Sequence, residues 1–458
     1  MPGNNGRQNG QNGHSNGHSN GHSNGHSNGH SNGHSNRPSG PLTVEQQIDI
    51  LQRAQSKIEY EEINWWRSLP LVKQRMPKVE LHAHLSGSLN LETIIQLLKY
   101  HAPNYHQVQA NYEDLVLHKP GFQVFDQFPL IHKLLNKPEA IYIAMRGMIK
   151  SFADEACIYL EVRTTPKATE FMSEGQYILA CVTAIELAKT EFPQIKVFLI
   201  VSFDNSWTLE YASKILKYVG AIQFGSNLIV GIDICGHPKN KASHLFPIAY
   251  MARKYHGLGV TVHLGEIMDN VDDAEKFLKF GVDRIGHGTF LHTRPDYVRM
   301  ICSKNIPIEV CLTSNKVCQT VPSMSKTHAK FWSNRCVSIT INTDDRGIFP
   351  KCSSTHEYHN YMRIRNLGSD QIIALNKRAM KYSFANLLKV TDLHRIMIRV
   401  RMCYAFGFQN PQNPKTWKVM AWARDWVRRN FPEEAAAQDA EEAALLANQL
   451  PILERHEN

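Results

Sequence analysis

Four short stretches, far apart in the chain, end in side chains that bind metals or move protons. They are Glu80-Leu-His82-Ala-His84, His263-Leu-Gly-Glu266, Gly286-His287-Gly288 and Asn342-Thr-Asp344-Asp345. In a strand, residues two apart point the same way, so His82 and His84 present two imidazoles to one side. His263 ends the run Val260-Thr-Val and can supply a third nitrogen. Gly265 permits a sharp turn before Glu266, a carboxyl that could exchange protons near an ion without occupying it. His287 stands between two glycines and so faces space rather than a packed core. Asp344 and Asp345 repel each other unless a cation or a proton separates them. One on a metal and one accepting a hydrogen bond resolves the conflict. Three imidazoles and one carboxylate favour a single Zn²⁺, with water as a further ligand. Four protein ligands imply a five-coordinate ion. It would lower the pKa of water towards ~7 and make hydrolysis possible at neutral pH. Each motif alone has a structural alternative: a hydrogen-bonded histidine, a surface glutamate, an Asp-Asp turn. Their joint occurrence favours an active site.

To meet, these residues need a scaffold that gathers strand ends. Eight short apolar runs alternate with longer helical patterns: Lys78–Leu85, Ile158–Thr164, Lys196–Phe203, Leu228–Ile234, Val260–Leu264, Arg284–Gly288, Pro307–Leu312 and Val337–Thr343. Eight β/α units predict a (β/α)8 TIM barrel. The candidate residues then fall at the C-terminal ends of strands one, five, six and eight, the end where barrel active sites collect. The short span between strands five and six still accommodates a helix over Asp272–Phe280. Before the barrel, 43–66 reads as a helix with Leu51, Ile58, Trp65 and Trp66 available for docking. After Tyr382 the chain reads as further helices, with Trp417–Arg429 at helical spacing and Glu433–Leu446 as an Ala/Glu-rich helix or frayed tail. The expected domains are a disordered tail 1–40, a helical extension 41–77, a barrel 78–408 and a C-terminal helical extension and tail 409–458. The tail repeats Gly-His-Ser-Asn six times from Gly13 to Asn36 and has nothing apolar to bury.

The chain has 458 residues, 42% of them apolar, and a formal charge of +9. Basic residues are spread along it, so no nucleic-acid stripe is read. The nine cysteines are odd in number and lack a C-x-x-C pair. Cys157, Cys235 and Cys311 lie in apolar runs and read as core, which suits a reducing compartment. No signal sequence and no membrane-length apolar run is present. A cytoplasmic monomer without nucleic-acid or membrane partners is expected.

At the candidate site residues the sequence resembles the adenosine/AMP deaminase family of metal-dependent barrel hydrolases, over roughly Lys78 to Phe408. The resemblance implies that His82, His84, His263 and Asp344 are zinc ligands and that Glu266 gives a proton to purine N1. It implies that His287 and Asp345 orient and activate the water, and that Asp345 also bonds the purine's imidazole edge. Gly236, in Gly231-Ile-Asp-Ile-Cys-Gly236, matches the family glycine whose backbone meets purine N3. Phe125-Asp-Gln-Phe-Pro-Leu-Ile-His132, Leu160-Glu-Val-Arg-Thr164-Thr165-Pro166-Lys167 and Val201-Ser-Phe-Asp204 resemble the adenosine deaminase-like branch, whose members act on N6-methyl-AMP. In that branch the Thr-Thr-Pro stretch and its basic neighbour lie near the phosphate. Candidate substrate contacts are therefore His84, Ser86, His132, Thr164, Thr165, Pro166, Lys167, Asp204, Gly236 and Asp345. Lys167 stands where arginine is common, keeping the cation but losing the bidentate fork. Asn205 and Ser206 follow Asp204 where the branch often has arginine.

The expected reaction is deamination at purine C6, of N6-methyl-AMP to IMP plus methylamine. The alternative is deamination of free adenosine. Two other classes stay open: a zinc-stabilised binding protein without activity, and a role for the histidine-rich tail in holding metal or in phase separation. Glu266, His287 and Asp345 speak against the former, since folding around a metal needs none of them.

Overall fold

Runs rich in Val and Ile, each followed by a helical segment, form strands covered by helices on their outer side. The computed structural model describes residues 41–69, 76–116, 121–335 and 337–387. Its eight strands are β1 (Lys78–His84), β2 (Cys157–Thr164), β3 (Lys196–Asp204), β4 (Ile229–Cys235), β5 (Gly259–Leu264), β6 (Arg284–His287), β7 (Ile308–Val310) and β8 (Ile339–Ile341). They pair in chain order, every pair parallel. The sheet closes by an isolated bridge between Ala83 and Asp344. There the His84 N–H donates to the Asp344 carbonyl (3.1 Å) and the Asp344 N–H to the His82 carbonyl (2.9 Å). The result is a (β/α)8 TIM barrel, and its seam lies where the first and last candidate motifs meet. All eight expected strands are present; the last three are only four, three and three residues long.

Helices form where an apolar face coincides with a cap. Helix Glu174–Glu191 starts at a capping box between Ser173 and Gln176. It packs Ile178, Cys181 and Ile185 into the core outside the strands. The span between β5 and β6 holds a 3-10 turn, Met268–Ala274, and a short helix, Glu275–Phe280. Ahead of the barrel, helix Val44–Ser68 buries Leu51 completely and stacks Trp65 on His356 at 3.7 Å between ring centres. Ile58 does not dock as expected. It is 39% exposed, because the turn it occupies faces away from the barrel's helices. The Trp66 side chain, the tail 1–40, the barrel boundary at 408, and the helices expected at Trp417–Arg429 and Glu433–Leu446 lie outside the described residues. Cys157, Cys235 and Cys311 are free and buried. No helix among the described residues is long and apolar enough to cross a membrane.

The barrel interior departs from the usual aliphatic layers. Glu161, Arg163, Asp233, Arg284 and Glu309 are all fully buried. Buried charges persist only when paired and hydrogen-bonded. Here Arg284 meets Glu161 at 2.7 Å and Glu309 at 2.5 Å, and Arg163 meets Glu309 at 2.9 Å. Phe384 plugs the floor beneath them, its ring 3.6 Å from the Arg284 guanidinium. A Cβ at Gly231 or Gly259 would lie 2.2 or 2.4 Å from that ring, so both glycines make room for it. Phe384→Ala should cost about 3–5 kcal/mol in chemical denaturation, the range for emptying a buried aromatic site. A loss under ~1 kcal/mol would contradict the plug.

Candidate active site

The C-terminal ends of β1, β5, β6 and β8 bring the candidate residues to one mouth of the barrel. His82 and His84 end β1 with ring centres 5.3 Å apart, and His263, ending β5, lies 4.7 and 5.4 Å from them. A ring nitrogen from each of the three falls within 4.8 Å of the others. Asp344 reaches in from the end of β8. Its Oδ1 is 3.4 Å from His82 Nε2 and 3.5 Å from His84 Nε2. His287 ends β6 with ring centres 5.0 Å from both His82 and His263, and its Nε2 is 3.7 Å from Asp344 Oδ2.

The backbone is bent to achieve this. Asp344 has φ 60° and His287 φ 58°, left-handed values that cost non-glycine residues of order 1 kcal/mol or more. The barrel seam pins Asp344 on both sides, and the His328 ring N–H donates to the His287 carbonyl at 2.7 Å. Gly265, at φ 57°, makes the turn that carries Glu266 over the mouth. Asp345 fills the space above Gly87, where a Cβ would lie 1.8 Å from its Oδ1.

Electrostatics separate the roles. Burial holds the His84 imidazole down to about 3 and His287 well below its ordinary value, so both are neutral at pH 7. Burial and Arg163 oppose protonation of His82, but its contacts with Asp344 and Glu309 prevail and raise it to about 9. His82 Nε2 is buried without a hydrogen-bond partner. A buried nitrogen that attracts positive charge, beside two more imidazoles and a carboxylate, fits a divalent cation of borderline softness. Cys311 also reaches His82 and Asp344, but burial keeps it a thiol, a poor ligand. Burial, then the charge of Asp344, push Glu266 up to about 8. Burial, Asp344 and Glu266 keep Asp345 protonated well above the usual carboxylate range, while the surrounding imidazoles keep Asp344 ionised despite its burial. Of the adjacent pair, one is thus an anion and the other a neutral acid.

The remaining expected contacts are more dispersed. Gly236 (φ 133°) and Glu266 line one cleft with His263, Asn205, Asn240 and Asn270. A Cβ at Gly236 would lie 2.3 Å from Asn205 Oδ1, so only glycine fits. The Thr164 hydroxyl is buried against the Tyr177 hydroxyl (2.8 Å), and Thr165 lies 3.9 Å from Cys235 Sγ. Pro166 is buried, Ser86 half-buried and Lys167 exposed. His132 stacks on Phe128, and burial followed by the nearby charge of Lys167 lowers it to about 3. Asp204 accepts from the Ser206 N–H (2.8 Å) and hydroxyl (2.7 Å), which turns its carboxylate towards its own loop.

Two residues that the sequence reading passed over hold the histidines in place. Glu309 Oε2 accepts from His82 Nδ1 at 2.7 Å and Asp233 Oδ1 from His263 Nδ1 at 3.0 Å. A carboxylate can only accept, so each Nδ1 carries the proton and each Nε2 faces the cluster. The clue in the sequence is a single acid inside an apolar strand, Ile308-Glu309-Val310 and Ile232-Asp233-Ile234.

A sequence model of the adenosine deaminase family matches residues 77–396. An adenosine deaminase-like protein of Caenorhabditis elegans is 43% identical over 323 residues, covering 70% of this chain and 82% of that protein. An N6-methyl-AMP deaminase of Danio rerio is 36% identical over 327 residues, covering 69% and 92%. In structure the chain is similar to Arabidopsis ADAL complexed with IMP, with a TM-score of 0.62 and 29% identity over 73% of this chain and 98% of that one. With the barrel and its clustered mouth, these matches establish that the chain belongs to the adenosine deaminase family and is a hydrolase of non-peptide C–N bonds.

Proposed function

We propose that this chain hydrolyses N6-methyl-AMP to IMP and methylamine with one Zn²⁺ per subunit. One observation carries the reading: ring nitrogens of His82, His84 and His263 cluster within 4.8 Å, Asp344 lies against His82 and His84, His287 lies against Asp344, and Glu266 shares a cleft with His263. Those first four would hold the ion, which supplies Lewis-acid chemistry by lowering the pKa of water towards ~7. The protein's own groups do the rest. Glu266, protonated at neutral pH, gives its proton to purine N1 as water adds to C6, and the ring loses its aromaticity. Neutral His287 takes the proton of the attacking water, and the imidazolium so formed stabilises the oxygen developing at C6. That proton then passes to the exocyclic nitrogen, which departs as methylamine while the remaining hydroxyl proton returns to the Glu266 carboxylate and leaves the C6 carbonyl of IMP. Asp345, kept neutral, donates to N7, and the Gly236 backbone meets N3.

The N6-methyl-AMP deaminase name of the zebrafish relative and the IMP in the Arabidopsis structure support a nucleotide substrate. Lys167, beside His132, is a cation suited to the phosphate. One observation favours a second reading, free adenosine: Asn205 is neutral and already committed to Asn240 and the His237 carbonyl. Steady-state kinetics on adenosine, AMP and N6-methyl-AMP separate the two. We expect kcat/KM for N6-methyl-AMP to exceed that for adenosine by ~10–100-fold, the worth of one hydrogen bond to a charged group. A preference for adenosine would overturn the nucleotide assignment.

A further inference from the structure

Arg163 is fully buried near the end of β2, inside the barrel and beneath the histidine cluster. It is none of the expected site residues. Its Nη2 donates to Glu309 Oε2 at 2.9 Å and to the Leu81 carbonyl at 2.6 Å, and its Nη1 lies 3.5 Å from Asp233 Oδ1. The oxygens it meets are the same two that receive His82 Nδ1 and His263 Nδ1. Leu81 is also the residue directly before His82. One planar guanidinium therefore reaches both carboxylates that fix the tautomer and orientation of two histidines on different strands. We infer that Arg163 is a positioning residue, a shared clamp that sets the angle between His82 and His263 and so the affinity of the barrel mouth for its ion. The inference rests on the proposed function only in taking those two histidines as ligands.

The two carboxylates depend on this clamp unequally. Glu309 also receives Arg284 Nε at 2.5 Å and Thr261 Oγ1 at 3.1 Å. Asp233 accepts only from His263 and from the Ser202 hydroxyl, at 3.2 Å, among the described contacts, and Arg163 Nη1 faces it as an ion pair at 3.5 Å without a hydrogen bond. Without the guanidinium, Asp233 becomes a buried anion with no fixed cation, and it can be relieved only by moving or by taking a proton. Either response frees His263 Nδ1 to turn or to change tautomer. The larger effect of losing Arg163 therefore falls on His263. Lysine restores the charge but offers a single point of attachment where two diverging donors are needed.

The test is ion affinity of the full chain, stripped by chelation and titrated with Zn²⁺ against a competing chelator, alongside the visible absorption of the Co²⁺ form. Arg163→Met should weaken Zn²⁺ binding by ~10–100-fold, the usual scale for outer groups that orient metal ligands, and should shift the Co²⁺ bands. Arg163→Lys should recover part of the affinity but not the wild-type spectrum. A folded Arg163→Met chain with affinity within about threefold of wild type and an unchanged Co²⁺ spectrum overturns the clamp. Where that variant does not fold, Asp233→Asn and Glu309→Gln, singly and together, decide. A shared clamp makes their costs in affinity non-additive, and simple additivity overturns it. A wild-type chain that takes up no ion would sink the proposed function as well; normal uptake by both wild type and Arg163→Met sinks the clamp alone.

Discussion

Glu266→Gln should bind its ion as wild type does and lose ~10²–10⁴ in turnover, the usual worth of a positioned general acid. Glutamine keeps the shape of the side chain and its place after Gly265 but has no proton to give N1. The expectation rests on position and on charge. Glu266 lines the same cleft as His263 and Gly236, and burial followed by the charge of Asp344 raises its carboxyl to about 8 from an ordinary 4.5. That upward shift also gives the substitution a signature in stability. Between pH 4.5 and 8 the folded, metal-free chain holds a proton that the unfolded chain has lost, so stability falls as pH rises through this window. Below it wild type and variant should be alike. The variant should gain steadily across it and keep a constant advantage above it, on the order of 5 kcal/mol for a shift from 4.5 to about 8 at ~1.4 kcal/mol per unit. Kinetics and metal content of the loaded enzyme, with urea melts of the metal-free chain at pH 5 and 8.5, read out both effects. Near wild-type turnover would remove Glu266 from the acid role; a stability gain equal at both pH values would contradict its burial as a neutral acid.

The same residues show why part of the site can be read from sequence and part cannot. The eight strands are legible because each is a short apolar run bounded by turn residues, a local property. The candidate mouth is legible because its residues end those runs, and a parallel barrel puts all such ends on one side. Alternation within β1 is less faithful. A register irregularity between Glu80 and Ala83 sets Glu80 opposite Leu160 but His84 opposite Arg163. Glu80 is drawn instead to the Thr343 N–H and hydroxyl, at 3.1 and 3.0 Å, and so braces the seam from behind. Period-two reasoning would have placed Glu80 beside His82 at the mouth. The orienting acids are harder still. Glu309 meets His82 across 227 positions and Arg163 across 146, and no local pattern relates them. A charge within an apolar strand announces only that some partner exists. Ile58 fails for the opposite reason: it fits an amphipathic helical pattern, but the helix meets the barrel along a face that leaves it out. The substrate end is the least legible part, since hydroxyls such as Thr164 are equally suited to a ligand and to a neighbouring tyrosine.

Asp344→Asn should cost at least ~10³-fold in turnover, corresponding to several kcal/mol of charge stabilisation lost at the reacting centre. Its ion content should also fall. The substitution is nearly isosteric, and asparagine tolerates the left-handed backbone at φ 60° as well as aspartate does. The seam bonds from the Asp344 backbone to His82 and His84 use main-chain atoms alone, so the barrel should still close. What disappears is the one buried anion among the described residues that faces His82, His84 and His287 together. Three consequences follow from that single charge. The cluster becomes a weaker cation site, because three imidazoles remain with no carboxylate among them to offset the charge of the ion. Glu266 and Asp345 lose the anion that helps to keep them protonated, so both should release their protons at lower pH than in wild type. The acid limb of the reaction then weakens even where an ion is forced in by mass action. Adding excess Zn²⁺ to the variant should therefore refill the site without restoring turnover, whereas a residue that served affinity alone would be rescued. Metal analysis by mass spectrometry and kinetics across a Zn²⁺ titration separate these outcomes, and full rescue would reduce Asp344 to a simple anchor for the ion.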